Sequence, residues 1–507
     1  MDRRAFLGGA SAVGLAMTVN RQPAVAAELP SDIIAMSASV LSQAIKQRQV
    51  ACVDVMQAYL TRIHRYNPVY NAIVSMVDDD ELMRQAELAD LALDKDEYWG
   101  WMHGMPHAVK DLVNAKGLET SLGSPIFAGT IAAEDDLHTA RIRAAGAIFI
   151  GKTNISEFGL GSQSYNPVHG TTKNAYNPAL TAGGSSGGAA CGLATHMLPT
   201  ADGSDMMGSL RNPGGFNNVI GFRPSQGRVP TVPADDVFYD QLAADGPMGR
   251  SVEDTIRLLG TMAGYDSRAP LSLRDDIPAF ADFRAEDLEG YRIGWMRDFN
   301  GYLEMEPGVL GVCEASLDTL AEHGASVEGC EPVFDMARLW QTWLTFRHWA
   351  LGGAKELYDD PQLRRQLKPE MVWEIEGSFD MPASRVAEAA IARSEWYRAL
   401  HTEFARFDIL ALPTAQVFPF SADVHWPKSI NDRQMDTYHR WMEVVIGGTL
   451  SGLPVVNLPA GFDADGRPMG MQFIGRMGHD RKVLEFALAY ERVTGHLDRR
   501  PELVEPV

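Results

Sequence analysis

Two glycine-rich segments carry serines with the surroundings of a nucleophile. Gly183-Gly-Ser-Ser-Gly-Gly188 places Ser185 among four glycines, and Gly203-Ser-Asp-Met-Met-Gly-Ser-Leu-Arg211 places Ser209 after Gly208. Glycine adopts backbone angles closed to other residues and lets a ligand approach the backbone closely. Consecutive backbone N–H groups in such a turn can stabilise an oxyanion. The pattern therefore indicates acyl-transfer chemistry at a serine.

Other interpretations of the first glycine-rich segment fit less well. The phosphate-binding patterns GxxxxGK[ST] and GxGxxG are both absent from it. A nucleophile elbow, G-x-S-x-G, fits with Ser185 at its centre, but no downstream Asp/His pair stands out. A flexible surface loop without chemistry stays open as the structural alternative.

A serine nucleophile needs a base, and both histidine and lysine are available near these motifs. His103 and His107 lie four residues apart, but Pro106 separates them and no HExxH zinc motif is present, so we interpret both as structural or solvent-facing. Lys110 ends the apolar run Gly104-Met-Pro-His-Ala-Val-Lys110. Burial there would lower its pKa by several units and make it a neutral base.

Composition excludes several classes of function. The chain has 507 residues, of which 45% are hydrophobic and 22% charged, as in ordinary globular proteins. Its formal net charge of −21 argues against a nucleic-acid partner, which requires a basic face. Four cysteines without a CxxC pair form neither a disulfide framework nor a zinc ribbon. Export would allow one disulfide, between Cys313 and Cys330.

The first residues have the features of an export signal. Arg3 and Arg4 precede an apolar run over 5–19, which is shorter than the about 20 residues that span a bilayer. Ala24-Val-Ala26 offers a small-residue cleavage site, and Arg-Arg followed by Phe-Leu resembles the twin-arginine type. We expect a signal peptide at 1–27 and a periplasmic or secreted mature protein without stable membrane insertion. A fortuitous basic N-terminus and an uncleaved anchor are the alternatives.

Hydrophobic periodicity indicates an α/β fold. Residues 35–96 have helical periodicity, and the apolar runs that end at Lys110 and Lys152 predict buried strands on either side of a helix. Residues 166–229 are rich in Gly, Ser, Asn and Pro, and a stretch of that length is usually functional or disordered; its embedded apolar pieces favour order. Residues 335–405 are strongly helical and aromatic-rich. We expect one domain over 28–507.

The three motifs together resemble the amidase signature family. Their order and spacing agree with it, with 75 residues from Lys110 to Ser185 and 24 from Ser185 to Ser209. The similarity runs from about residue 36 to 495, with a variable region at about 265–440. The resemblance implies a single domain with a large mixed central sheet covered by helices on both faces. It implies no cofactor and no metal.

The resemblance also implies a role for each catalytic residue. Neutral Lys110 would take a proton from Ser185, Ser185 would take that of Ser209, and Ser209 would attack an amide carbonyl. A cis peptide bond would join Gly184 to Ser185.

The resemblance places the oxyanion hole at the backbone N–H groups of Met206, Met207, Gly208 and Ser209. Many relatives have Asp-Thr-Gly-Gly-Ser where this chain has Asp-Met-Met-Gly-Ser, so Met207 replaces a glycine beside the scissile bond. This departure puts the range of substrates in question, and a damaged oxyanion hole is the weaker alternative.

The loop before the nucleophile contains an acid–base pair. Asp205 and Arg211 flank it, and we predict that they brace the loop, with a plain structural ion pair as the simpler interpretation.

Aromatic residues in the variable region bear on the substrate. Trp340, Trp343 and Phe346 repeat every three residues, and in the family this region helps to line the substrate pocket. They favour an apolar or aryl acyl or amine group, although ordinary helical core is the other interpretation. We therefore predict an exported amidase that cleaves a linear small-molecule amide, and a homodimer is compatible with the sequence.

Three alternatives stay open. The chain could hydrolyse a carbamate, an ester or a cyclic amide with the same groups. It could be the amidase-signature subunit of a glutaminyl-tRNA amidotransferase, against which the export signal and strong acidity argue. It could be a non-catalytic exported binding protein, against which the retention of all three catalytic positions argues.

Overall fold

The computed structural model describes residues 32–239 and 241–506, so the predicted signal peptide at 1–27 lies outside the described residues. The described residues form these α-helices: α1 Ala38–Lys46, α2 Cys52–Tyr70, α3 Asp79–Asp94, α4 Leu137–Ala144, α5 Gly187–Ala194, α6 Arg211–Phe216, α7 Val252–Met262, α8 Val309–Glu322, α9 Met336–Leu351, α10 Lys355–Asp359, α11 Pro361–Arg364, α12 Pro369–Glu376, α13 Ala383–Glu403, α14 Ile446–Ser451 and α15 Asp480–Thr494.

The strands are short and alternate with the helices along the chain. They are β1 Ile73–Val74, β2 Pro106–Lys110, β3 Ile148–Thr153, β4 Tyr165–Asn166, β5 Gly170–Thr171, β6 Ala201–Asp205, β7 Ile220–Arg223, β8 Ala244–Gly249, β9 Arg292–Trp295, β10 Ser326–Gly329, β11 Ile409–Pro413, β12 Ser429–Ile430, β13 Arg433–Gln434, β14 Val455–Phe462 and β15 Pro468–Ile474.

A large mixed sheet forms the centre of the fold. Its eight strands follow the order β10-β9-β11-β15-β14-β7-β8-β6. Strand β9 pairs in parallel with β10 and β11, and the remaining neighbours are antiparallel. A three-stranded sheet, β1-β3-β2, lies beside the β6 edge, where the backbone N–H of Lys110 donates to the carboxylate of Asp202 at 3.3 Å. The predicted mixed sheet is confirmed.

Helices cover both faces of the large sheet. On one face, Gln472 of β15 accepts a hydrogen bond from Arg211 of α6 at 2.8 Å. The next residue, Phe473, packs against Phe486 and Tyr490 of α15, with ring centroids 4.9 and 5.3 Å apart. Because successive side chains of a strand point to opposite faces, α6 and α15 lie on opposite sides.

The N-terminal region is helical, as its periodicity predicts. Ser37 begins α1 by accepting a hydrogen bond from the backbone N–H of Val40, and Asp78 begins α3 in the same way through Asp80. The buried faces of α1, α2, α3 and α5 share one apolar core with the three-stranded sheet, which includes Ile150 of β3. This core supports the strand that ends at Lys110.

The glycine-rich stretch over 166–229 is ordered and mostly buried. It contains β4, β5, α5, β6, α6 and β7 in succession, so the prediction of an ordered functional segment is confirmed. One reason for its glycines is close packing. A Cβ atom at Gly188 of α5 would collide with the backbone of Asn154, so glycine lets α5 approach the end of β3.

The predicted helical region over 335–405 is confirmed by α9 to α13, of which α9 packs against α13. The disulfide that export would allow is not formed between the two described cysteines. Cys313 in α8 and Cys330 after β10 are both buried free thiols, and they approach different partners, the Gly470 carbonyl and the Glu403 carboxylate. No helix among the described residues combines the length and the apolar character that crossing a membrane requires.

Candidate active site

Lys110 is fully buried at the end of β2, and its amine contacts two hydroxyl groups. Nζ lies 2.9 Å from Ser185 Oγ, 2.9 Å from Ser204 Oγ and 3.2 Å from the Ser204 carbonyl oxygen. Burial lowers the pKa of Lys110 to about 7, although the carboxylates of Asp245, Asp202 and other neighbours act to raise it. Lys110 can therefore be neutral near pH 7 and accept a proton from Ser185.

Ser204 is a partner of Lys110 that the sequence did not predict. It lies two residues after Asp202 on β6, so both side chains point to the same side of the strand, toward β2. Asp202 accepts hydrogen bonds from the Lys110 backbone and Ser204 contacts the Lys110 amine. The alternation of polar residues in β6 was the signal that could have found Ser204.

Two histidines near Lys110 have structural roles, as predicted. His107 Nε2 lies 3.1 Å from Asp202 Oδ1, and His103 Nε2 lies 2.9 Å from the carbonyl oxygen of Ala89. Burial raises the pKa of Asp202, but the hydrogen bonds from His107 and His138 outweigh it, so the pKa lies below its ordinary value. The ionised carboxylate holds the end of β2.

Ser185 follows a cis peptide bond from Gly184, as the resemblance implied. Neighbouring serines fix the loop around it. Ser162 Oγ donates to the Gly184 carbonyl at 2.7 Å, and Ser164 Oγ donates to the Ser185 carbonyl at 3.2 Å. Ser164 Oγ also accepts from the backbone N–H of Gly187 at 2.9 Å, which ties the loop to the start of α5. Both carbonyls are thus engaged, while the Ser185 hydroxyl meets Lys110.

Ser209 lies in the turn between β6 and α6 and is 6% exposed. The Asp205 carboxylate shapes this turn by accepting hydrogen bonds from the backbone N–H groups of Gly208 at 2.8 Å and Leu210 at 3.2 Å. Gly208 has a φ of +83°, and a Cβ atom there would collide with Asn212 Oδ1. Only glycine fits this position, which places Ser209 at the tip of the turn.

The oxyanion hole differs from the prediction at Gly208. Its backbone N–H already donates to Asp205 Oδ1, and one N–H group makes one strong hydrogen bond. In the described part of the chain, the N–H groups of Met206, Met207 and Ser209 have no acceptor. These three groups are the donors available to an oxyanion.

The predicted brace between Asp205 and Arg211 is present and fully buried. Arg211 Nε and Nη2 donate to the two carboxylate oxygens at 2.9 Å each. Arg211 Nη1 also donates to the Val445 carbonyl and to Gln472 at 2.8 Å each, and Arg223 contacts the Asp205 carbonyl. Burial raises the pKa of Asp205, but the Arg211 charge outweighs it, so the carboxylate stays ionised.

A buried arginine of α9 contacts the loop before the nucleophile, and the sequence did not predict it. Arg347 Nη1 lies against the Met206 thioether, Nε donates to Glu374 at 3.0 Å and Nη2 donates to the Tyr438 hydroxyl at 3.3 Å. The guanidinium lies 5.9 Å from the Trp343 ring centroid. The spacing of four residues between Trp343 and Arg347 puts both on one helix face and was the available signal.

The three predicted substrate residues do not share one surface. Trp340 and Trp343 are buried and surround His439, with ring centroids 5.2 and 6.3 Å from its own. Phe346 points to another side of α9 and lines a separate groove that none of Lys110, Ser185 and Ser209 lines. Trp343 reaches the catalytic loop through Arg347, whereas Phe346 does not. Substrate binding by the three residues stays a prediction.

Comparison with known proteins decides the family. The family model described as Amidase matches residues 54–484. The chain belongs to the amidase signature family. This amidase is 31% identical over 497 residues to a glutamyl-tRNA(Gln) amidotransferase subunit from Symbiobacterium thermophilum, with 93% of this chain and 99% of that protein covered. It is 30% identical over 475 residues to the acylamidase of Rhodococcus erythropolis, with 92% and 97% covered.

Solved structures agree with this assignment. The crystal structure of a bacterial aryl acylamidase of the amidase signature family matches with a TM-score of 0.85 and 25% identity, over 91% of this amidase and 98% of that chain. The 6-aminohexanoate cyclic dimer hydrolase complexed with substrate matches with a TM-score of 0.82, covering 93% and 99%; at 22% identity it shows the fold. The predicted family and fold are confirmed, and the chain is a hydrolase of carbon–nitrogen bonds.

Proposed function

We propose that this amidase hydrolyses a linear amide through an acyl-enzyme on Ser209, with Lys110 and Ser185 as its proton relay. The observation that supports the roles best is the buried Lys110 amine, 2.9 Å from Ser185 Oγ, with a pKa lowered to about 7. A serine hydroxyl becomes an effective nucleophile only beside a group that removes its proton. The relay supplies such a group without a histidine.

The proposed reaction has two halves. Ser209 Oγ attacks the amide carbonyl carbon while its proton passes to Ser185 and the Ser185 proton passes to neutral Lys110. The N–H groups of Met206, Met207 and Ser209 donate to the oxyanion that forms. Collapse of this intermediate breaks the C–N bond as the proton returns through Ser185 to the leaving nitrogen. Water, deprotonated by the same relay, then attacks the acyl-enzyme, releases the acid and restores Ser209.

We propose an apolar or aryl amide as the substrate. Similarity to the acylamidase and to the aryl acylamidase supports this class. The loop before Ser209 supports it as well, because Met206 and Met207 replace smaller residues of many relatives, and α9 adds Trp343 through its contact with Arg347. These side chains offer an apolar environment with one cationic donor beside the reacting carbonyl.

A substrate panel tests this proposal. The purified enzyme is assayed on an anilide, a benzamide, acetamide, malonamide, an aryl carbamate and an aryl ester, with Ser209→Ala as the control. We expect the aryl amides to be hydrolysed fastest and Ser209→Ala to be inactive on all of them. Preference for acetamide or malonamide would sink the substrate class. Equal rates for Ser209→Ala and the wild type would sink the acyl-enzyme, and binding without turnover would favour the non-catalytic alternative.

The similarity to the amidotransferase protein supports a second candidate, a subunit that works within a complex. The same panel separates the two when glutamine is added to it. Turnover of an aryl amide by the isolated chain favours the amidase, whereas turnover of glutamine alone favours the amidotransferase role. Light scattering on the isolated chain tests the homodimer that the sequence permits.

We also propose that residues 1–27 direct export of the folded enzyme. Arg3 and Arg4, the short apolar run over 5–19 and Ala24-Val-Ala26 support this. N-terminal sequencing of the enzyme from a periplasmic fraction is expected to begin near residue 27. The double variant Arg3→Lys, Arg4→Lys is expected to stay in the cytoplasm, and unchanged export of that variant would argue against a twin-arginine signal.

A further inference from the structure

A groove of about 1100 Å³ lies between α9 and α13, open to solvent on one side. It is separate from the candidate active site, because Lys110, Ser185 and Ser209 do not line it. Ala387 and Ala390 of α13 form part of its floor, and both are exposed to the groove rather than packed in the core. The small side chains leave room for a ligand the size of a drug-like molecule.

Five aromatic rings surround the groove. Phe346 and Trp349 come from α9, Tyr397 comes from α13, and Phe238 and Tyr239 come from the loop that precedes β8. Phe238 and Tyr239 are 58% and 74% exposed, and Tyr239 meets Trp349 edge-on at 6.5 Å. Large apolar side chains gathered at one exposed place mark a binding site more often than scattered ones do. The walls therefore suit an aromatic ligand.

The charge of the groove is opposite to that of the chain. The chain carries a net charge of −21, yet Arg393 and Arg398 line the groove and no aspartate or glutamate of the described residues does. Arg393 donates to the Leu450 and Gln241 carbonyls, and its guanidinium lies 5.7 Å from the Phe346 ring centroid. Arg398, one residue after Tyr397, has no ion pair or side-chain hydrogen bond with any described residue.

We propose that this groove binds an aryl carboxylate, with the ring between the aromatic walls and the carboxylate on Arg398. The ligand accounts for both features of the groove. A neutral apolar molecule would leave Arg398 without a partner, and a small anion such as phosphate would leave the aromatic walls exposed. A guanidinium binds a carboxylate through two parallel hydrogen bonds, which fixes the orientation of the ligand.

Calorimetric titration of the full-length enzyme with 4-phenylbutanoate tests the proposal. Arg398→Gln is expected to weaken binding about tenfold, because a charge-assisted hydrogen bond is lost. Arg385→Gln, the same change on the same helix at a residue that does not line the groove, is expected to bind as the wild type does. Ala390→Trp, which fills the groove, is expected to abolish binding. Circular dichroism checks that each variant is folded.

Two further measurements separate this groove from the active site. Uncharged 4-phenylbutan-1-ol is expected to bind the wild type about tenfold more weakly than the acid does, and equally to Arg398→Gln. Enzyme labelled at Ser209 with phenylmethylsulfonyl fluoride is expected to bind the acid unchanged.

Three results would overturn the proposal. One is the absence of wild-type binding up to about 10 mM ligand, which corresponds to a negligible affinity. Another is equal affinity in the wild type, Arg398→Gln and Ala390→Trp, which would place the ligand elsewhere. The third is a dimer that Ala390→Trp converts to a monomer without any binding of the acid, which would show that a second copy of the chain covers the groove.

Discussion

Lys110 and Lys152 end their apolar runs on the neighbouring parallel strands β2 and β3, and both side chains are buried. In the register of these strands Lys110 lies opposite Thr153, and Lys152 lies opposite Val109. The two lysines are thus one step apart and point to opposite faces of the three-stranded sheet. Burial lowers the pKa of both side chains.

The partners of the two amines differ. Lys110 Nζ contacts the hydroxyl groups of Ser185 and Ser204, whereas Lys152 Nζ contacts the Val113 carbonyl oxygen and lies 3.3 Å from Thr120 Oγ1. The Ser185 hydroxyl belongs to the glycine-rich loop, and the proposed relay runs from it to Ser209. Burial thus makes a lysine a potential base, while the position of the next hydroxyl decides whether it can act on a nucleophile.

Replacing each lysine by methionine gives the largest expected difference between them. Lys110→Met removes the base and is expected to lower kcat by about 10³-fold or more. Lys152→Met leaves the relay intact and is expected to keep kcat within about tenfold of the wild type. Steady-state rates on the best amide of the panel measure both, with circular dichroism as the check on folding. Similar losses in the two variants would remove the distinction.

The hydroxyl beside each amine gives the next largest difference. Ser185→Ala interrupts the proposed relay and is expected to lower kcat by about 10²- to 10³-fold. Thr120→Val removes the hydroxyl near Lys152 and is expected to change kcat less than about threefold. The same assay measures both variants. Full activity of Ser185→Ala would mean that Lys110 acts on Ser209 without it.

The pH dependence should report Lys110 alone. Its pKa is lowered to about 7, so the amine is protonated and inactive below that pH and neutral above it. We expect kcat/KM to rise about tenfold per pH unit below pH 7 and to level off above it. The Lys152→Met enzyme is expected to follow the same curve. A flat profile from about pH 5 to 9 would contradict a lysine base.

The smallest expected difference comes from the carboxylates near each lysine. Asp245 acts to raise the pKa of Lys110, and Asp111 acts to raise that of Lys152. Asp245→Asn should therefore move the rise of kcat/KM to lower pH, whereas Asp111→Asn should leave it in place. Profiles of both variants test this. A shift to higher pH in Asp245→Asn would show that the carboxylate does not act on the base.

The sequence predicted the groups with chemical character better than the contacts between them. Lys110, Ser185 and Ser209 belong to contiguous motifs whose order and spacing resemble a family, and the mixed α/β fold followed from the same resemblance. Arg347 did not, because its contact with Met206 joins residues distant in the chain. A repeat of aromatic residues every three positions does not tell which side of α9 meets the catalytic loop.

The donors of the oxyanion hole show the same limit. The resemblance named the N–H of Gly208, but that group is used by Asp205 in the turn. Which N–H groups of a loop are available depends on the folded position of a carboxylate three residues away, which a motif does not specify. Organisation as one domain over 28–507 stays a prediction.

The rate at which a fluorophosphonate labels the intact enzyme tests the central claim most directly. Peptide mass analysis identifies the labelled residue, and the rate is followed from pH 5 to 9 in the wild type, Lys110→Met and Lys152→Met. Labelling is expected at Ser209, with a rate that rises toward a plateau above about pH 7 in the wild type and in Lys152→Met and is nearly lost in Lys110→Met. A label on another residue, or an equal rate in Lys110→Met, would contradict the relay from Ser209 through Ser185 to Lys110.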